Sequence, residues 1–312
     1  MMTRLSFAIP SKGRLKDNTE NWLAACGFKV RQVGGGRGYT ATLSGLPDVD
    51  IMLLSASEIA AGLIAGDLHL GVTGEDLIHD LSSDTARDVC TFRRLGFGGA
   101  DVIVAVPTSW LDVDTMSDLE AAGAQFRLRH GRRMRVATKY LRLTRRFFAT
   151  RSVGEYRLVE SAGATEAAPA AGSAEVIVDI TSTGATLKAN GLKILSDGVI
   201  LKSQAALIGS RTAVWNDEGL APLRVLLDRV EARNQATLTQ KLELGGEVPA
   251  SLVEEFGLTV LKSGAILCPE KEAANVARLL SLKGFGPVAI SNVEHVFHGE
   301  NTMFNSFIAN LS

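Results

Sequence analysis

Short apolar runs rich in β-branched residues alternate along the first two-thirds of the chain with stretches whose apolar positions recur every three or four residues. The runs at residues 5–9, 28–33, 51–54 and 68–72 are too short for helices and read as strands, while residues 18–26, 57–65 and 75–81 read as helices. This alternation predicts an α/β structure around a largely parallel sheet. A further strand at 101–106 stops at Pro107, and a second unit follows, with strands at 134–137, 156–160 and 175–179 and helices at 115–122 and 140–150. Residues 162–172, rich in Ala, Gly and Pro, interrupt it as a loop. Beyond Gly198, strands at 199–202 and 205–210 and a helix at 217–233 return the chain to the first unit. The predicted units are therefore residues 1–107 with 199–234, and residues 108–198. Two lobes joined by crossing strands leave a cleft, which is where ligands bind in such folds.

Residues 235–312 form a third unit. Strands at 238–244, 265–268 and 287–292 enclose helices at 249–256 and 270–282, giving a small α+β pattern. Ala274, Val276, Ala277, Leu279 and Leu280 supply an apolar helix face opposite Lys271, Glu272 and Arg278. No catalytic constellation is visible there.

Composition narrows the function classes. The 312 residues suffice for two or three domains, and a net charge of −1 gives the whole chain no nucleic-acid character. The N-terminus has too short an apolar stretch for a signal peptide, and no run approaches the roughly 20 residues of a spanning helix, so a cytoplasmic protein without membrane contact is expected. Cys26, Cys90 and Cys268 are widely spaced and odd in number, which suits packing thiols in a reducing compartment. One segment departs from neutrality: residues 127–151 hold ten Arg or Lys and no acid. That run is a polyphosphate-facing wall, a solvated face or a nucleic-acid footprint. The last is disfavoured because Tyr140, Phe147 and Phe148 are spaced as core positions of a helix rather than as stacking platforms. His295 and His298, near Glu294 and Glu300, are better read as surface residues than as metal ligands, so no protein-held metal is expected.

The most informative segment is residues 174–192, AEVIVDITSTGATLKANGL. Its apolar run ends at Asp179; Thr181, Ser182, Thr183 and Thr186 then bring hydroxyls, Gly184 lets backbone approach a ligand, and residues 183–190 read as a helix stopped by Gly191. A strand, a hydroxyl-rich glycine turn and a helix start, Thr181 through Ala185 and Thr186, make an anion cradle suited to phosphate. A carboxylate beside that cradle repels phosphate unless it accepts hydrogen bonds from something else, and sugar hydroxyls fit. Together they suggest a ribose 5-phosphate held at both ends.

This segment resembles the 5-phosphoribosyl 1-diphosphate (PRPP) signature of the ATP phosphoribosyltransferases, the family that opens histidine biosynthesis. Further segments agree in order: PSKGRL (10–15), GVTGEDL (71–77), RRLGFGGADVIVAVP (93–107), RVATKY (135–140) and GATEAAPAAG (163–172). The resemblance implies a bilobal core similar to type II periplasmic binding proteins, with a ferredoxin-like C-terminal domain of the longer family members that binds L-histidine as feedback inhibitor. Residues 258–312 lack the familiar threonine and proline segment of that domain, so a histidine site is left open. The shorter members rely on an accessory subunit similar to histidyl-tRNA synthetase; the length excludes that form but not dependence on a partner. Dimers and hexamers are implied, hence a homo-oligomer.

The implied reaction transfers the 5-phosphoribosyl group of PRPP to N1 of ATP, releasing diphosphate, with Mg2+ bridging the diphosphate. N1 carries a lone pair and no proton, so a strong base is not required, and no nucleophile triad is visible. The resemblance places the 5-phosphate at Thr181, Ser182, Thr183, Gly184, Ala185 and Thr186 and the ribose hydroxyls at Asp179. Glu166 is read either as a second ribose contact or as a helix cap. Lys12, Gly13 and Arg14, at the C-terminal end of the first strand, are assigned to the diphosphate, so Lys12, Arg14 and Asp179 are the candidate catalytic groups. Arg37 and Tyr39 match family positions near ATP, with solvation of a flexible loop as their alternative, and Glu75 is read either as orienting ATP or as an acid favoured by the helix start. Where the family carries an arginine near Ile51, this chain has Leu53 and Ser55, leaving open which cation meets the leaving group, with the basic run at residues 127–151 as the source of candidates. The alternatives are a non-catalytic ligand-binding module of the periplasmic type and another PRPP-dependent transferase.

Overall fold

The computed structural model describes residues 4–33, 39–161 and 163–311. Three sheets organise the chain. The first contains β1 (Leu5–Pro10), β2 (Val30–Gln32), β3 (Thr40–Leu43), β4 (Val49–Leu54), β5 (Leu70–Gly74), β6 (Val89–Arg94) and β12 (Ala205–Ser210), in the order β2-β3-β4-β1-β5-β12-β6. Only its centre, β4-β1-β5, is parallel; β3 and β12 flank it antiparallel. Helices α1 (Gly13–Ala25) and α8 (Asp217–Thr237) cover one face, where Phe7, Ile9 and Ile51 meet Leu226 and Leu227. On the other face, Ala8 and Ile208 pack against α2 (Ala56–Ala65) and α3 (Glu75–Leu81) through Ile59, Leu63 and Ile78, with the short α4 (Thr85–Asp88) following. Both faces of β1 are thus buried, which explains a nearly continuous apolar run instead of clean alternation.

The second sheet has the order β11-β7-β10-β8-β9, from β7 (Ala100–Pro107), β8 (Met134–Thr138), β9 (Tyr156–Glu160), β10 (Val176–Thr181) and β11 (Leu192–Ser203). Residues 100–107 and 199–203, read from the sequence as first-unit strands, pair inside this sheet, because β7 lies between β10 and β11. Apolar patterning identifies a strand but not its neighbours. Helices α5 (Met116–His130) and α6 (Leu141–Thr150) pack on the face carrying Val104, Val136 and Val178, and α7 (Ala185–Ala189) places Leu187 on the opposite face with Ile103, Ala137 and Ile177.

The chain crosses between the two sheets twice, at residues 95–99 and at Gln204. Hydrogen bonds tie the crossings together: Leu95 N–H to Ala205 O (2.9 Å), Ala205 N–H to Phe97 O (3.0 Å) and Gly96 N–H to the Gln204 side chain (3.1 Å).

The third sheet is antiparallel, in the order β14-β15-β13-β16, from β13 (Thr239–Glu243), β14 (Thr259–Val260), β15 (Ile266–Pro269) and β16 (Ala289–Asn292), with α9 (Ala250–Glu255) and α10 (Ala273–Leu280) between strands. Its own core gathers Leu242, Ile266, Val276 and Leu280. The chain's last segment then leaves this unit. Helix α11 (Thr302–Ala309), capped by Asn301, docks on the first lobe, where Phe307 is buried edge-on against Phe92 and Trp215 at 4.9 and 5.1 Å. Among the described residues, no helix is long and apolar enough to cross a membrane.

Candidate active site

The second sheet's strands β8 and β10 run parallel side by side. Register pairs Ala137 with Ile177 and Thr138 with Val178, so Lys139 and Asp179 are the next positions along their chains. Asp179 lies within β10, which continues two residues past the acid where the apolar pattern ends, because Thr181 pairs with Asp101 of β7. The Asp179 carboxylate is half-buried and accepts from the adjacent Ile180 N–H at 2.8 Å. Burial raises its pKa, as does the negative charge of Glu166, while that backbone donor and Lys139 oppose the rise. Glu166 sits in a short 3₁₀ turn, Thr165–Ala167, preceded by Ala164 at a left-handed φ of 49°. The structure therefore brings Asp179, Glu166 and Lys139 together.

The hydroxyl turn follows directly. Thr181 Oγ1 accepts from Gly184 N–H at 2.9 Å, and Thr183 Oγ1 accepts a long 3.4 Å bond from Ala185 N–H. Gly184 holds φ at 72°, a conformation that strains residues with a Cβ. Helix α7 is shorter than expected, five residues instead of residues 183–190, so it contributes first-turn N–H groups more than a dipole. Thr186 and Leu187 N–H have no acceptor within that turn, and the Ser182 and Thr186 hydroxyls take no partner among the described residues. Two of the hydroxyls, Thr181 and Thr183, thus shape the loop, while Ser182 and Thr186 are exposed.

In the first lobe, Ser11 N–H bonds Leu54 O across the ends of β1 and β4, and Lys12 forms the N-cap of α1. Gly13 and Arg14 lie in the first turn of that helix, five residues earlier than its predicted start, with Gly13 at φ 70°. No acid occupies that turn, and Lys12 and Arg14 are exposed. This cationic start is on the C-terminal edge of the parallel strands.

The remaining sequence-predicted positions are dispersed. Glu75 is buried at the start of α3; its Oε1 accepts from Arg94 Nε at 2.8 Å, and Oε2 has no partner among the described residues. Tyr39 is 75% exposed, and its carbonyl receives Leu53 N–H at 2.8 Å. Arg37 lies outside the described residues. Leu53 fills the core and Ser55 caps α2 in a reciprocal box with Glu58, so both positions have structural work.

The basic run resolves into separate tasks. Arg127 and Arg133 pair with Glu155, Arg132 and Arg135 with Glu175, and Arg151 with Asp197. Arg142 and Arg146 donate to backbone carbonyls of Leu81 and Ser82 in the first lobe. Lys139 belongs to the basic run that the sequence offers as a source of the leaving-group cation, but which strand lies beside it is a long-range fact. The buried 2.6 Å bond from Tyr140 to Asp76, which joins the lobes, has no signal in the sequence.

Comparison with known proteins decides the identity. The ATP phosphoribosyltransferase (HisG) sequence model matches residues 55–232. An ATP phosphoribosyltransferase of Caulobacter vibrioides is 52% identical over 312 residues, covering 98% of each chain. The chain belongs to the ATP phosphoribosyltransferase family. Another ATP phosphoribosyltransferase, from Rhodopseudomonas palustris strain BisB18, is 48% identical and covers 97% of each chain. The solved ATP phosphoribosyl transferase (HisG:HisZ) complex from Thermotoga maritima aligns with a TM-score of 0.55 at 22% identity, over 73% of this chain and 98% of that one, and so shares the fold of the core. This ATP phosphoribosyltransferase condenses PRPP with ATP at N1 of the adenine ring, releasing diphosphate at the first step of histidine biosynthesis.

Proposed function

We propose that PRPP binds across the C-terminal end of β10. The 5-phosphate rests on the turn from Thr181 to Thr186, the ribose hydroxyls donate to Asp179 with Glu166 beside it, and the diphosphate extends toward Lys12, Gly13 and Arg14 of the facing lobe. What carries this reading is one juxtaposition: a half-buried acid two residues ahead of a turn whose outward donors are unused. ATP is assigned to the first lobe, with Glu75 and Tyr39 as its contacts.

Catalysis in this site is positioning and charge stabilisation. N1 attacks with its own lone pair, so the protein's work is to align two anionic substrates, support oxocarbenium character at C1 and meet the charge that moves onto diphosphate. Mg2+ would supply neutralisation of that diphosphate. Substrate oxygens would hold most of such a hard cation, with Asp179 and Glu166 as the nearby carboxylates that would favour its charge.

The third sheet has the βαββαβ order of a ferredoxin-like fold, and we assign residues 235–292 to that class. It is read as the regulatory unit, with L-histidine as its inhibitor, in a homo-oligomer. Mixing the protein with ATP, PRPP and Mg2+ while diphosphate is removed should give the ultraviolet change of N1-substituted adenine, reduced by histidine. Absence of that change under all buffer conditions would contradict the site, and indifference to histidine would contradict the regulatory assignment.

A further inference from the structure

Of the cations between residues 127 and 151, Arg129, Lys139 and Arg145 make neither a hydrogen bond nor an ion pair among the described residues. Arg129 and Arg145 lie on helices α5 and α6. Lys139 alone stands at a strand end. Its face follows from the pleat: Ala137 and Ile177 are register partners in one apolar cluster, and two residues further along each chain a period of two brings Lys139 and Asp179 to the same side. Ala168, two residues beyond Glu166, and Leu187 of α7 belong to that same cluster, so the acid pair, the hydroxyl turn and Lys139 share one face.

Lys139 is exposed yet held. Its Nζ lies 4.9 Å from the centroid of the Tyr140 ring, and Tyr140 is itself fixed by burial and by its bond to Asp76 of the first lobe. The ammonium stands beyond 4 Å from the Asp179 carboxylate, close enough to act on it electrostatically without being consumed by a direct pair. A cation so placed is free to face a third group.

We propose that Lys139 is a substrate-contacting residue that meets the leaving diphosphate of PRPP, from the lobe opposite Lys12 and Arg14. This rests on the seat proposed above. With the 2- and 3-hydroxyls at Asp179 and the 5-phosphate on the turn beyond it, a cation beside Asp179 lies toward C2 and therefore toward C1. The turn meets the 5-phosphate with neutral donors, whereas the C1 side gathers negative charge. As the C1–O bond breaks, its electron pair goes to the diphosphate; as N1 bonds to C1, the adenine ring takes up positive charge. Lys139 donates a charge-assisted hydrogen bond that strengthens as the diphosphate leaves.

Calorimetric titration of the full chain with PRPP and with ribose 5-phosphate, each with Mg2+, tests this on wild type, Lys139→Gln and Lys139→Arg. Losing a charged hydrogen bond should weaken PRPP binding by about tenfold or more in Lys139→Gln, leave ribose 5-phosphate within about twofold, and be largely recovered in Lys139→Arg. Equal weakening of both ligands would move Lys139 to the 5-phosphate, and no weakening of either would remove it from the site; both results overturn the proposal. Asp179→Asn separates the underlying reading, because unaltered ribose 5-phosphate affinity in that variant would refute the ribose placement itself, whatever Lys139 does. The unfolding midpoint of Lys139→Gln should match wild type, as expected for an exposed side chain.

Discussion

The Tyr140 hydroxyl donates a 2.6 Å hydrogen bond to Asp76 Oδ2, joining the start of α6 in the second lobe to α3 in the first. Asp76 Oδ1 accepts from Ser203 at 2.8 Å, and Asp80 accepts Leu143 N–H at 2.8 Å nearby. Both partners are nearly inaccessible, with Tyr140 1% and Asp76 6% exposed. Burial and the Asp76 charge push the phenol pKa far above its usual value, so it remains a donor at alkaline pH. The lobes therefore share a buried polar pin beside the cleft.

Tyr140→Phe removes one donor and leaves a buried carboxylate oxygen unsatisfied, which costs about 1–3 kcal/mol. Denaturant unfolding should show that loss. An unchanged midpoint would mean that water or another group takes the hydroxyl's place.

Asp179→Asn keeps the size of the side chain but weakens acceptance from ribose hydroxyls, so kcat/KM for PRPP should fall by about tenfold or more, with the fold retained. Thr186→Val should raise KM for PRPP by removing an outward hydroxyl. Steady-state kinetics with PRPP varied and ATP saturating reads both changes, and wild-type constants in either variant would displace that residue from the seat.

Much of the candidate site's local geometry was legible because it is built from neighbouring residues. The β-branched run before Asp179, the hydroxyls after it and the glycine needed at φ 72° all lie within a few residues of one another. The partners of each strand were not legible. Residues 100–107 read equally well as a first-lobe strand, and only pairing with β10 and β11 settles their sheet. The two-residue β14 is exposed and carries no pattern of its own. Helix α11 has an apolar face, but nothing in that face says it returns to Phe92 and Trp215 instead of staying with the third sheet. The basic run looked like one surface because its acids, Glu155, Glu175 and Asp197, lie outside it in sequence.

Glu175 gives a pH prediction. Burial alone would raise its carboxyl, but hydrogen bonds from Arg132 and Arg135 carry it from 4.5 down to about 2. A folded-state pKa below the unfolded one stabilises the protein above the unfolded value, and that contribution disappears as pH falls from 4.5 toward about 2. The gap in melting temperature between wild type and Glu175→Gln should therefore be widest near neutral pH and narrow in acid. A gap independent of pH would show that the ion pairs are not its source.

A crystal structure with PRPP and Mg2+ bound tests the proposed seat, where β10 passes into the Thr181 to Thr186 turn. The 5-phosphate should lie within hydrogen-bond distance of the Thr186 and Leu187 N–H groups, with the ribose hydroxyls on Asp179. A sugar phosphate bound elsewhere, with Asp179 free of it, would refute that seat.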